Sequence, residues 1–259
     1  MILPIFQVDA FAERPLTGNP AAVCPLETWL DEAVMQAVAR ENNLSETAFY
    51  VAEGDGFHIR WFTPAAEVEL CGHATLAAAF VVFTFDRPEL KRVTFRSLSG
   101  PLTVTKDGDR LVLDFPALKA EPCPAPEALV KGLGQRPRAV LKAMDYMAVF
   151  DREEEVLSLA PNMGLLKTLD LRGVIATAPG READFVSRFF APRYGIDEDP
   201  VTGSAHSALT PYWSQMLGKK RLEARQVSAR GGDLWCEDRG ERVSIAGRAA
   251  LYLEGRIYI

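Results

Sequence analysis

A chain of 259 residues that is 48% hydrophobic can bury one large core or two of ordinary domain size, and it contains no low-complexity or disordered tract. A formal net charge of -6 and a pI near 5.3, without a basic run or a Lys/Arg stripe, exclude the electrostatic footprint of a nucleic-acid or anionic-membrane binder. Cys24, Cys71, Cys123 and Cys236 are widely spaced and the histidines are only His58, His73 and His206, so neither a metal site nor a disulfide framework is expected.

The first residues, Met1-Ile2-Leu3-Pro4-Ile5-Phe6, read as a strand and not as a signal peptide. No run reaches the roughly 18 apolar residues of a membrane span, so the expectation is a cytoplasmic protein with reduced thiols. Strands are predicted at 5–8 and 21–23, with Gly18-Asn19-Pro20 as a tight turn between them. Over 28–42, Trp29, Ala33, Val34, Ala37 and Val38 recur at helical spacing and predict an amphipathic surface helix. Strands follow at 47–51 and 57–62. The segment 74–85 is apolar on every side, which predicts a buried helix.

Further strands are predicted at 93–95, 102–104 and 111–115, before Pro116, Pro122, Pro124 and Pro126 mark a crossing between domains. The second half supplies the same parts: strands near 148–150, 174–176 and 185–190, a helix over 204–217, and a last group of strands after Leu222. The expected fold class is α/β (α+β), with two pseudo-symmetric domains, each a curled, mostly antiparallel sheet around a central buried helix. Their predicted limits are 1–115, completed by a C-terminal strand at 249–259, and 116–248.

That symmetry rests on a repeat. Glu53 to Pro64, followed by Cys71-Gly72-His73-Ala74-Thr75, has a second version in Pro179 to Pro192, followed by Thr202-Gly203-Ser204-Ala205-His206. Each copy is a turn, a strand ending in aromatic-Phe-x-Pro, an acidic loop and a glycine that opens an apolar helix. Such a helix start presents unpaired N–H groups and the positive end of a dipole, which suits a small anion, and the two related halves are expected to face one another across it.

The chemistry-bearing residues cluster around these starts. Glu46 stands where a helix gives way to a strand, and the second copy has apolar Val174 or its neighbours Arg172 and Gly173 there, so the carboxylate is a local departure from the scaffold. It is expected to be desolvated beside Phe49 and Trp61 and to act as a general base. His73 is either a core histidine satisfied by a carbonyl or a first-turn proton carrier that the dipole helps keep neutral. Thr202 or Ser204 can be an N-cap and Asp199 a loop acid, roles compatible with holding a ligand carboxylate. Gly72 and Gly203 allow close approach of a ligand to the backbone. Cys71 is the one thiol at a helix start, where a thiolate is favoured; Thr202 stands in its place in the second copy, so a thiol pair is absent.

Together, Val8-Asp9-Ala10-Phe11, Gly18-Asn19-Pro20, Leu44-Ser45-Glu46-Thr47, Leu70-Cys71-Gly72-His73-Ala74-Thr75 and Asp199-Pro200-Val201-Thr202-Gly203-Ser204-Ala205-His206 resemble the PhzF-like (phenazine biosynthesis) family of the diaminopimelate-epimerase-like fold. The resemblance implies a cofactor-free, metal-free enzyme, often a homodimer, in which the glutamate that maps to Glu46 shuttles a proton between carbons. It implies catalytic roles for His73, Asp199 and Ser204, and the substrate-binding set is then Asn19, Gly72, Thr202 and Gly203. The reading is a cofactor-independent isomerase of a small anionic metabolite. Two alternatives stay open: an epimerase or racemase using Cys71, and a non-catalytic small-molecule binder of the same fold.

Overall fold

The computed structural model describes residues 1–259, and the chain divides into two units, Met1–Asp114 with Ala246–Ile259, and Phe115–Ile245. In the first unit, β1 (Ile2–Ala10) lies antiparallel to β2 (Asn19–Leu26). The loop between them closes at Gly18, whose φ of +65° suits glycine; a Cβ there would meet Ala10 O and lie 2.7 Å from Ala12 Cβ. Asn19 and Pro20 are already strand residues, so the predicted tight turn ends two residues earlier.

After α1 (Glu32–Asn42), β3 (Glu46–Glu53) pairs in parallel with β2, and β4 (Gly56–Phe62) returns antiparallel to β3. The stripe that α1 buries is Met35, Val38 and Ala39, so of the predicted set within the helix only Val38 is buried. An alanine methyl removes too little area from water to orient a helix, whereas Met35 carries about 1.5–3 kcal/mol of burial. The helix also starts later than expected, behind Asp31.

A short β5 (Glu67–Val68) pairs with β4 and leads into α2 (Gly72–Val81), which continues as a π-type turn over Val82–Asp86. Every residue of α2 except Phe80 is buried, as a helix apolar all round must be. It packs against β1, β2 and β3 and also against β7 (Gly100–Asp107), so the sheet curls around it. β6 (Arg92–Ser97) lies parallel to β4 and antiparallel to β7, and β8 (Arg110–Pro116) pairs with β7.

The second unit opens with β9 (Glu121–Pro122), α3 (Glu127–Leu133), β10 (Ala139–Lys142) and β11 (Tyr146–Val149). The short helices α4 (Glu153–Leu157) and α5 (Met163–Leu166) precede β12 (Val174–Pro179), β13 (Phe185–Ala191) and β14 (Ile196–Asp199). Leu129, Leu133, Phe150, Val156, Leu166 and Phe190 form a core under these helices. Then come α6 (Gly203–Leu217), β15 (Arg221–Gln226), β16 (Gly232–Asp238) and β17 (Arg242–Gly247). The final strand, β18 (Ala249–Tyr258), belongs to the first unit and pairs antiparallel with β1.

Pro211 inside α6 cannot donate to the carbonyl four residues back. That carbonyl, Ser207 O, instead accepts from Leu118 N–H at 2.9 Å, so the break in the helical ladder is satisfied.

The repeat read in the sequence is a repeat of pairing. β2, β3, β4 and β6 join parallel, antiparallel, parallel; β11, β12, β13 and β15 do the same. Side chains repeat too. Arg60 lies 5.1 Å over the Phe62 ring and grips Glu67 with two hydrogen bonds of 2.6–2.7 Å; Arg188 lies 5.0 Å over Phe190 and grips Glu198 at 2.7–2.9 Å. No helix is long and apolar enough to cross a membrane.

Candidate active site

Three side chains meet at the start of α2. Glu46 is the first residue of β3, and its Oε2 lies 3.2 Å from His73 Nε2; His73 Nδ1 lies 3.5 Å from Cys71 Sγ. All three are buried, Glu46 being 9% exposed. The order of elements makes this meeting possible, because β3 is central in the sheet that wraps α2 and Glu46 begins it at the end where the helix starts.

Burial by itself disfavours an imidazolium at His73, but Cys71 and the Glu46 carboxylate oppose it, and the balance lies well above the ordinary value. For Cys71, burial comes first and Glu46 adds to it; together they outweigh His73 and push the thiol up. Cys71 is thus disfavoured as a thiolate, and against burial the His73 value is drawn up first by Cys71 and then by Glu46. Two sequence expectations are corrected here. The dipole does not keep His73 neutral, because its about 0.3–1 kcal/mol is smaller than the attraction of a carboxylate 3.2 Å away in a dry setting. Cys71 is not a favoured thiolate, because desolvation exceeds the same dipole.

Donor atoms of Glu46, Cys71 and His73 lie within 4.8 Å of one another. They do not converge on one point, since the imidazole turns Nδ1 to the thiol and Nε2 to the carboxylate. The arrangement is a line of close polar contacts, suited to moving a proton and not to chelation.

The strand register fixes what replaces Glu46 in the second unit. Thr47 faces Phe62, and Val174 faces Phe190, so the counterpart of Glu46 is Gly173. A Cβ at Gly173 would lie 2.6 Å from Phe189 Cζ and 2.8 Å from Phe190 O, leaving no room for any side chain. The carboxylate is thus present in one unit and sterically barred from the other.

At the start of α6 the polar groups differ in kind. Thr202, in the N-cap position, makes no capping bond; its hydroxyl donates to Asp199 Oδ2 at 2.5 Å. That corrects the N-cap expectation, and the reason is Gln226. The buried amide of Gln226 accepts from Thr202 N–H at 2.8 Å and donates through Nε2 to Asp199 O at 2.7 Å and Thr202 Oγ1 at 3.2 Å. With Thr202 Oγ1 accepting from the amide, its one proton goes to the Asp199 carboxylate.

Ser204, half-buried in the first turn, accepts from Arg172 Nη1 at 3.1 Å, while Arg172 forks onto Asp145 at 2.6 and 2.9 Å. Because its oxygen accepts from a guanidinium, the Ser204 hydroxyl is left to donate onward. His206, one turn into α6, is buried, and its Nδ1 contacts Thr202 O at 2.9 Å; burial lowers its pKa to about 4. Gly72 and Gly203 are buried in the two helix first turns. Asn19, fully buried, lies two residues before Ala21, which is in register with Glu46.

Glu46, His73 and Gly72 are thus together in the first unit with Asn19 on the adjoining strand, and Asp199, Thr202, Gly203 and Ser204 are together in the second. Gln226, Asp145 and the Arg172 fork were not singled out from the sequence. The repeat held a clue only for Arg172, which precedes the residue aligned with Glu46.

The family model for phenazine biosynthesis-like proteins (PhzC-PhzF) matches residues 8–255. An uncharacterised isomerase of Pseudomonas aeruginosa is 53% identical over the whole of both chains. The crystal structure of a PhzF-family phenazine biosynthesis protein from Enterococcus faecalis is 49% identical and superposes with a TM-score of 0.98 over all of both chains. More distantly, a hydroxyproline epimerase from Agrobacterium vitis shares the fold, with 10% identity and a TM-score of 0.64 over 99% of this chain and 92% of that one. A general isomerase role is what these relatives support.

Proposed function

The chain belongs to the phenazine biosynthesis-like (PhzC-PhzF) family, and from that premise we propose that it is a cofactor-independent isomerase acting on a small carboxylate-bearing metabolite. Glu46 takes a proton from a carbon next to a carbonyl or double bond, the electron pair moves into the conjugated system, and the same proton returns to another carbon. His73 beside Glu46 relays the proton between the carboxylate and its surroundings. The free N–H groups at Gly72 and His73 suit an anionic group, as do those at Gly203 and the onward-donating hydroxyl of Ser204. In the second unit Asp199, held by the Thr202 hydroxyl, is an acceptor for a donor group.

The observation that carries this reading is the buried Glu46–His73 contact of 3.2 Å in one unit against a glycine in the other. It favours carboxylate chemistry over the epimerase alternative, because burial holds Cys71 as a thiol. The test incubates the enzyme in heavy water with a panel of cyclic and amino-acid-derived carboxylates and follows isomer formation and deuterium uptake. Positioned acid–base groups contribute about 10²–10⁴ in rate, so Glu46→Gln is expected to lose at least about 10² with the circular dichroism spectrum unchanged. Undiminished turnover in Glu46→Gln overturns the assignment. Inversion at a single carbon that disappears in Cys71→Ser establishes the epimerase instead, and ligand binding without turnover across the panel leaves a binding protein.

A further inference from the structure

The register that matches Glu46 with Gly173 also matches the residues around them. Gly72 and Gly203 open α2 and α6, so Ser204 is the counterpart of His73, and Arg172, one residue before Gly173, is the counterpart of Ser45. In the first unit a carboxylate lies 3.2 Å from the first-turn His73. The second unit keeps an approach to the first turn but reverses its polarity, because the Arg172 guanidinium donates to Ser204 Oγ at 3.1 Å.

The guanidinium is held on several sides. Its Nε and Nη2 fork onto the two oxygens of Asp145 at 2.9 and 2.6 Å, and its Cζ lies 5.2 Å over the Phe189 ring. Asp145, between β10 and β11, has a side chain only 4% exposed, whereas that of Arg172 is 29% exposed. Burial by itself disfavours the charged form of Arg172, but Asp145, Asp199 and Tyr194 outweigh it and draw its pKa up. Arg172 is thus a fixed cation and not a mobile surface charge.

A guanidinium carries five N–H groups. Three are used, those of Nε and Nη2 on Asp145 and one of Nη1 on Ser204, which leaves one N–H on each Nη atom. We propose that Arg172, locked by Asp145, is the specificity-determining residue at the start of α6. It leaves the Ser204 hydroxyl free to donate and adds its own two N–H groups, so that a carboxylate is taken there and the corresponding carboxamide is rejected. This rests on the reading in which the start of α6 receives an anionic group, and it names the side chains that select that group.

The selectivity follows from the hydrogen-bond inventory. Every group that Arg172 supplies or orients is a donor, and the helix start adds more, since Thr202 makes no capping bond to the first-turn N–H groups. A carboxylate accepts at both oxygens. A carboxamide of the same shape must set its own NH2 against one of these donors, which leaves two groups unpaired. Lysine cannot replace the arginine, because a single ammonium is a point charge and does not span both Asp145 oxygens while also reaching Ser204.

Nitrogen-15 NMR titrations with acetate and with acetamide, probes of equal shape, test this through the Gly203 and Ser204 amides. The proteins are wild type, Arg172→Lys, the double variant Arg172→Met with Asp145→Asn, which strands neither charge, and Glu46→Gln. Wild type is expected to bind acetate at least about tenfold more tightly than acetamide, the worth of one hydrogen bond to a charged group. The double variant should lose that factor, and Arg172→Lys should lose part of it, with the rest of each spectrum reporting an intact fold. Glu46→Gln should keep the full preference, so that lost turnover in it bears on the proton-transfer reading and a lost preference elsewhere bears on Arg172. Equal affinities in wild type, or a preference undiminished in either Arg172 variant, would overturn the proposal; should the double variant fail to fold, Arg172→Lys decides.

Discussion

His206 gives the sharpest quantitative test, because its burial and its single interaction work in opposite directions. Its Nδ1–H donates to Thr202 O, which leaves Nε2 as an acceptor without a hydrogen-bond partner in a fully buried site. Protonating Nε2 would place an unpaired charge in the core, and burial accordingly lowers the pKa to about 4 from the ordinary 6.5, against a smaller opposing effect of the Thr202 carbonyl. In the unfolded chain the same ring binds its proton near pH 6.5. Between these values the unfolded state holds more protons than the folded one, so the contribution of His206 is fully present above about pH 6.5 and is lost as the pH falls toward 4. A gap of roughly 2.5 units at about 1.36 kcal/mol each makes the loss about 3 kcal/mol.

The variant His206→Asn keeps a short N–H donor for Thr202 O and removes the titration. Urea unfolding followed by tryptophan fluorescence, from about pH 7 down to about pH 4, should show the wild type losing about 3 kcal/mol more than the variant. Carboxylates that titrate in the same range act on both proteins and cancel. Parallel stability curves for the two proteins would refute the reasoning, since they would mean that the folded ring accepts its proton as readily as the unfolded one.

His73 should behave in the opposite sense. Its folded pKa lies above 6.5, so its stabilising pairing with Glu46 is complete below about pH 6.5 and fades as the pH rises through the raised value; wild type should lose stability on that alkaline side relative to His73→Gln, and a difference that is constant with pH would contradict it. Gln226→Leu would strand the Thr202 N–H and the Asp199 carbonyl in a dry site, at about 1–3 kcal/mol for each unpaired group. Chemical denaturation should register that loss, and a near-neutral result would show that the amide does not hold the start of α6.

Much of this site was legible in the order of residues alone. The glycine-led apolar helix at 72–81, the second helix at 203–217 and the Arg-aromatic-Phe-x-Pro strands are local patterns, and local patterns are set by side-chain period and backbone sterics. The doubling of those patterns also carried the observation that Glu46 has no acidic counterpart. Where the sequence misled, weak local signals competed with tertiary ones: the alanines at 33 and 37 promised a buried stripe that Met35 took over, and Thr202 promised a cap that it does not make.

Sequence by itself determined the family, the fold class and the inventory of reactive side chains around two glycine-led helices. Only the tertiary structure decided their states. Its contacts draw the His73 value up, while burial pushes the Cys71 thiol up and the His206 ring down. Gln226 reaches Thr202 across 24 residues, and Arg172 reaches Ser204 across 32. Charge interaction and desolvation depend on distance through the fold, not along the chain, and the long-range strand pairings set those distances.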